Sequence, residues 1–236
     1  MKKHRIILRT ACLTLTALIA LPMAMVAAEI DFEMDEGYDP DISPVGVVTD
    51  AGRWYGKANF GEITPGEGFE GSQSLRIPPT GEFASMSFDP GFEKIPAKMR
   101  FSTLVKLEEL EEGSFLVPLR LRLALDGDAE AVRIHFYAGG KVEFFANEKI
   151  VRALEANGDQ FMTRSGVFTE VEVELDFEKS AYRLKLNDVQ QKFEGSDWIP
   201  FQNTNERTRV GRLELTNSHL TVGGVHLDRI RWTADE

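Results

Sequence analysis

The chain has 236 residues, of which 27 are basic and 38 acidic, for a formal net charge of −11. An acidic field of this size excludes nucleic acid and anionic membranes as general partners. The single cysteine, Cys12, excludes an internal disulfide framework, so stability must come from burial, and a hydrophobic content of 42% is enough for one sizeable core.

Taken in chain order, residues 1–28 read as a secretory signal peptide. Lys2, Lys3, Arg5 and Arg9 form a basic end, an apolar run follows from Thr10 to Met25, and Val26, Ala27 and Ala28 supply small residues for cleavage after Ala28. The run is interrupted by Pro22 and is too short to span a bilayer comfortably. Cys12 lies inside it, without the preceding small residues of a lipoprotein signal, so the mature chain is expected to carry neither thiol nor lipid anchor. The expectation is a secreted or periplasmic protein, not inserted in a membrane after cleavage, with residues 29–236 as a single domain.

Beyond the signal, period-two alternation bounded by Gly, Pro, Asn and Asp predicts strands at about 30–34, 44–48, 73–77, 83–88, 98–107, 115–125, 131–137, 141–146, 167–177, 181–187, 189–193, 208–216 and 224–232. Many short strands without a long helix predict an all-β fold, a two-sheet antiparallel β-sandwich. Residues 35–71, rich in Gly, Pro and Asp, read as a structured excursion. Residues 147–158 fit either a short helix or a strand with a loop. Turns are expected at Ala138–Gly140 and Asn187–Val189, where residues tolerant of positive φ occur.

The stretch 115–145 holds the most informative pattern. Alternation buries Leu119, Leu121, Leu123, Val132, Ile134, Phe136, Val142 and Phe144, and puts Arg120, Arg122, Arg133, His135, Tyr137, Glu143 and Phe145 on the opposite face. A loop at 126–129 would set Leu125 against Glu130, Arg122 against Arg133 and Arg120 against His135. A loop at 138–140 would set His135 against Glu143 and Arg133 against Phe145. Opposed arginines repel by a few tenths of a kcal/mol up to roughly 1, and an anion would remove that penalty. Arginine forks match carboxylates and sulfates, and Tyr137 and Phe145 could stack on a sugar, so the pattern suits an acidic polysaccharide. The competing reading is a solvated face on which acids of a neighbouring strand, such as Glu170, Glu172, Glu174 and Asp176, pair with the arginines.

Three further groups qualify as candidates. Trp54 and Tyr55, with Arg53 and Lys57 nearby, either stack on sugars from a loop or, for Trp54, fill the end of the core; Trp198 and Trp232 are expected in the core. Glu29, Asp31 and Glu33, and again Glu174, Asp176 and Glu178, alternate so that a regular strand would align each set about 7 Å apart, the pairing that glycoside hydrolysis needs. His135, His219 and His226 lack metal-ligand spacing. The chain contains no nucleophile elbow, phosphate-cradling loop or His-Glu-x-x-His.

The segments "IDFEMDEGYDPD" (30–41), "GFEGSQSLRI" (68–77), "FTEVEVELDFEKSAYRLKLNDV" (168–189) and "VGGVHLDRIRW" (222–232) occur in an order that resembles the concanavalin A-like lectin/glucanase jelly roll, in its laminin-G-like secreted bacterial form. The resemblance implies a jelly roll spanning nearly the whole mature chain, a fold that serves lectins, binding modules, glycosidases and polysaccharide lyases alike. It implies non-catalytic carbohydrate binding or a surface structural role first, a polysaccharide-degrading enzyme second, and a protein–protein interaction module third. In related lyases Tyr or His moves the proton while Arg and an amide neutralise a uronate, which makes His135 and Tyr137 the catalytic candidates; the family's own lyase motifs are missing. "ELDFE" and "EIDFE" are similar to the Glu-x-Asp-x-Glu of laminarinase-type glucanases. Related binding modules share a structural calcium at acids matching Glu33 and Asp228, although Arg229 stands where many relatives have a second acid. No other cofactor is implied.

Overall fold

The computed structural model describes residues 26–57, 60–79, 84–91, 96–125, 129–203, 210–218 and 223–235. Residues 1–25 of the expected signal, with Cys12, residues 126–128 of the expected loop and His219 lie outside the described residues.

The alternating segments close into two antiparallel sheets. Sheet I runs in the order β14 (Val189–Gln190), β13 (Ala181–Leu186), β12 (Phe168–Asp176), β7 (Lys98–Leu107), β17 (Val225–Asp235), β5 (Ser74–Ile77) and β4 (Glu62–Thr64). To it are added β1 (Val26–Ile30), paired with β17, and β15 (Ile199–Pro200), paired with β13. Sheet II runs β11 (Lys149–Arg152), β10 (Val142–Ala146), β9 (Glu130–Phe136), β8 (Val117–Leu125), β16 (Val210–Ser218), β6 (Ala84–Asp89), β3 (Gly52–Gly56) and β2 (Val48–Thr49). Neighbours distant in sequence, such as β7 beside β17 and β8 beside β16, give the crossed connections of a jelly-roll sandwich.

The core lies between the sheets. Leu119, Leu121, Leu123, Val132, Ile134, Phe136, Val142 and Phe144 all point inward from sheet II, as their alternation requires, and join one cluster with Phe101, Val105, Val171, Val173, Leu175 and Leu184 from sheet I. Each such side chain contributes roughly 1.5–3 kcal/mol of burial. Trp54 is also inside, against Phe32 and Phe88, and its Nε1 donates to the Tyr38 hydroxyl at 3.0 Å. Trp232 packs on Phe101 in the core.

Local differences from the expected elements have identifiable causes. The first strand ends at Ile30, and Phe32 just beyond it takes a left-handed backbone (φ 61°) with its ring in the core. The excursion at 35–71 is drawn into both sheets as β2, β3 and β4. At 147–158 the strand-with-loop arrangement holds: Asn147 and Glu148 adopt φ of 46° and 65° and turn β10 directly into β11. Trp198 is half-exposed rather than in the core, with Lys179 and Arg183 lying 4.1 and 4.2 Å from its ring. It follows the turn at 193–196 and never enters a long strand, so no alternation carries it inward.

Candidate functional site

The outer face of sheet II carries two cross-strand rows. One runs Tyr55, Ser87, Glu214, Arg122, Arg133 across β3, β6, β16, β8 and β9. The other runs Ser85, Thr216, Arg120, His135, Glu143, Arg152 from β6 to β11. Arg122 opposite Arg133, Arg120 opposite His135 and His135 opposite Glu143 are the pairings that the loop lengths predict. The pairing of Leu125 with Glu130 is not formed: a bulge beside Leu123 brings Ala124 opposite Glu130 instead.

That bulge decides the electrostatics. Strict alternation would put Glu130 on the same side as Val132 and Ile134, whereas the extra residue turns its carboxylate outward, between the two opposed arginines. Glu130 is only 3% exposed and pairs with Arg122 and, at 2.6 Å, with Arg133 Nε. Arg122 also meets Glu214 at 2.9 Å. The protein's own acids therefore neutralise Arg122 and Arg133, but they come from β9 and β16. The acids of β12 lie on the other sheet and take no part.

Arg120 is treated differently. Among the described residues no carboxylate pairs with it, and its buried Nε has no partner. Burial, then Arg133 and Arg122, pull its pKa below the ordinary arginine value. His135 beside it is 8% exposed, and its Nε2 likewise lacks a partner. Burial together with Arg120, Arg133 and Arg122 lowers its pKa to about 3, so the imidazole is neutral at physiological pH. Thr216, 4% exposed, presents a third unpartnered atom, Oγ1.

The aromatic members are less available than alternation suggests. Phe145 is 6% exposed and covered by His135, at 4.6 Å between ring centres, and by Arg133 at 4.9 Å, so it cannot serve as a free sugar platform. Tyr137 is half-buried with its hydroxyl donating to Glu143 at 2.6 Å, and burial and that bond raise its pKa. Trp54, being in the core, cannot touch a ligand, whereas its neighbour Tyr55 is exposed on this face with Arg53 5.0 Å from its ring.

The outer face of sheet I bears an open groove of about 680 Å³ lined by Arg100, Ser102, Glu172, Glu174, Arg183, Lys185, Gln190, Asp197, Arg231 and Thr233. Its rows alternate in sign: Arg100, Glu174 and Arg183 across one, Arg231, Ser102, Glu172 and Lys185 across the next. Lys185 meets Glu172 at 3.0 Å, Arg183 meets Glu174 at 3.5 Å, and Arg231 meets Glu29 at 2.5 Å. This lattice is largely satisfied from within, and pairs this exposed add about 0–1 kcal/mol each.

Neither acidic triplet survives as an aligned set. After β1 ends, the left-handed Phe32 separates Glu29 from Glu33 in direction. In the second copy Glu178 leaves β12 for a turn, and Asp176 accepts from Lys179 N at 3.0 Å and Nζ at 2.7 Å. For a cation, Glu33 Oε1 accepts from Gln73 N at 2.9 Å, while Asp228 accepts from Phe69 N, Ser72 Oγ and Arg229 N at 2.7, 2.9 and 2.7 Å. Both carboxylates are thus engaged by protein donors, and two carboxylates fall short of the six to eight oxygens that calcium takes. Glu170, Glu172 and Asp188 do bring carboxylate oxygens within 4.8 Å of one another. Burial, then Glu172 and Asp188, raise the pKa of Glu170.

No protein-family model matches the chain, and no curated protein matches it. Among solved structures it is similar to a sialidase (TM-score 0.55, 8% identity), covering 79% of this chain but 17% of the sialidase. It is similar to a carbohydrate esterase from the Shiga toxin-encoding bacteriophage phi24B (TM-score 0.55, 9% identity, 78% of this chain and 90% of that one). It is also similar to the cellulose-induced protein Cip1 (TM-score 0.51, 13% identity, 88% and 96%). At these identities the likeness is one of fold alone.

Proposed function

We propose that the protein is a secreted, non-catalytic carbohydrate-binding β-sandwich of the laminin-G-like kind, which holds an acidic polysaccharide on the outer face of sheet II. The observation that carries this reading is Arg120: a half-buried guanidinium with no carboxylate partner among the described residues, beside Arg122 and Arg133, which are both paired. A charge in that setting is costly unless something neutralises it. Tyr55, exposed on the same face, offers its ring and hydroxyl to sugars, and the half-buried Tyr137 offers a ring edge.

A second reading, β-elimination of a uronan, is favoured by one contact: the His135 and Tyr137 rings lie 6.1 Å apart beside Arg120. The chemistry is poorly matched, however. An imidazole with a pKa of about 3 is a weak base, and the Tyr137 proton is committed to Glu143. Binding without turnover is therefore the better fit.

Electrophoresis through gels containing polygalacturonate, alginate, a glycosaminoglycan or neutral glucan tests the proposal, with retardation expected in the acidic gels. Mobility unaltered in all of them would sink it. Incubation with the same uronans, followed at the absorbance of an unsaturated uronate, separates the two readings: no gain is expected, and a steady gain would replace binding by lyase activity.

A further inference from the structure

We infer that Thr216, Arg120 and His135 form a seat for a single oxyanion of the bound glycan, a uronate carboxylate or a sulfate ester, with Arg120 as the specificity-determining residue. This rests on the binding face proposed above. Arg120 on β8 is the direct cross-strand partner of both Thr216 on β16 and His135 on β9, so it stands between them with each neighbouring Cβ roughly 5 Å away. Each carries a buried polar atom without a partner among the described residues: Thr216 Oγ1, Arg120 Nε and His135 Nε2. Folded proteins leave few such atoms unsatisfied, and three in one register row point to one shared occupant.

The chemistry of the row selects an anion. Arg120 Nε and the Thr216 hydroxyl are donors, and the neutral His135 donates as well in its Nε2–H tautomer. A carboxylate or sulfate oxygen accepts several such bonds at once, and its charge answers the guanidinium. A neutral hydroxyl would fill the space and leave the charge unmet. Among the described residues, the acids near Arg120 on this face are engaged elsewhere. Glu130 is held by Arg122 and Arg133, Glu214 by Arg122 and Arg212, and Glu143 accepts from Tyr137. Because His135 is uncharged, it adds a donor without adding repulsion to Arg120. Arg122 and Arg133, by contrast, are tied into the sheet.

The test measures binding of the full chain to four probes: polygalacturonate, its carboxyl-reduced neutral form, dextran sulfate and dextran. The native protein should bind at least one anionic polymer tenfold or more tightly than its neutral counterpart; polygalacturonate alone would assign a carboxylate, dextran sulfate alone a sulfate. Arg120→Gln should abolish that preference and Arg120→Lys should restore part of it. The melting temperature of Arg120→Gln should hold or rise, because an unpaired half-buried charge has been removed. Equal binding of charged and neutral polymers by the native protein would overturn the seat while leaving a glycan-binding face. An undiminished preference in Arg120→Gln would overturn it as well. Failure to bind any of the four would sink the face itself.

Discussion

Glu130→Gln is the perturbation that bears most on the separation between paired and unpaired arginines. The carboxylate is 3% exposed and serves both Arg122 and Arg133, which are direct cross-strand partners. Removing one member of a buried ionic group costs about 3–5 kcal/mol. The arginine side chains are 26% and 30% exposed, so water recovers part of this, and about 2–4 kcal/mol is the expected loss. For a domain of this size each kcal/mol lowers the melting temperature by roughly 2–4 °C, which predicts a fall of about 4–16 °C. Urea and thermal unfolding followed by near-ultraviolet circular dichroism would measure it. Adding Arg133→Gln to Glu130→Gln should return at least half of the loss, since Arg133 is the charge left stranded while Arg122 keeps Glu214. A loss below about 1 kcal/mol in the single variant, or no recovery in the double, would refute the account of Glu130.

Other expectations follow from the same geometry. Burial alone would raise the Glu108 pKa, but Arg76, Gly224 N–H and His226 outweigh it and hold the carboxyl at about 2. The stability it supplies is thus fully present above pH 4.5 and lost as pH falls through about 2. Glu108→Gln should cost about 1–2 kcal/mol at neutral pH after solvent screening, and should flatten acid unfolding in that window. Tyr38→Phe strands the Trp54 indole N–H and should cost about 1–3 kcal/mol in urea unfolding while leaving polysaccharide retention unchanged. Asp228→Ala releases the donors of Phe69, Ser72 and Arg229 and should cost about 2–4 kcal/mol. A chelator should not shift the melting temperature of the native protein, and stabilisation by calcium would contradict the reading of that carboxylate. The His135 imidazole should show no titration by NMR between pH 5 and 8, consistent with its pKa of about 3.

Much of sheet II is legible in the chain because its signals are local. Alternation from Leu119 to Phe144 assigns each side chain to the core or the outer face, and the chain spacings across 126–129 and 138–140 together set Arg120, His135 and Glu143 in one row. A bulge leaves no such trace: one extra residue in β9, Ala131, turns Glu130 outward, and nothing in the composition of 123–132 announces it. Thr216 was missed for another reason. Its place beside Arg120 depends on β16 joining β8 across most of a hundred residues, and pairing between strands so distant is not a local property. The same limit explains why the acids of β12 look like partners for the arginines in sequence and face another solvent surface in the fold. Phe32 and Trp198 depart from expectation through backbone direction, one at a left-handed residue and the other after a tight turn.

Mapping chemical-shift changes on the ¹⁵N-labelled protein as an acidic oligosaccharide is added tests the central claim most directly, because it distinguishes the two outer surfaces. The account predicts changes concentrated at Thr216, Arg120, His135 and Tyr137 on β16, β8 and β9. Changes confined to Arg100, Glu174, Arg183 and Lys185 would move binding to the groove of sheet I and contradict it.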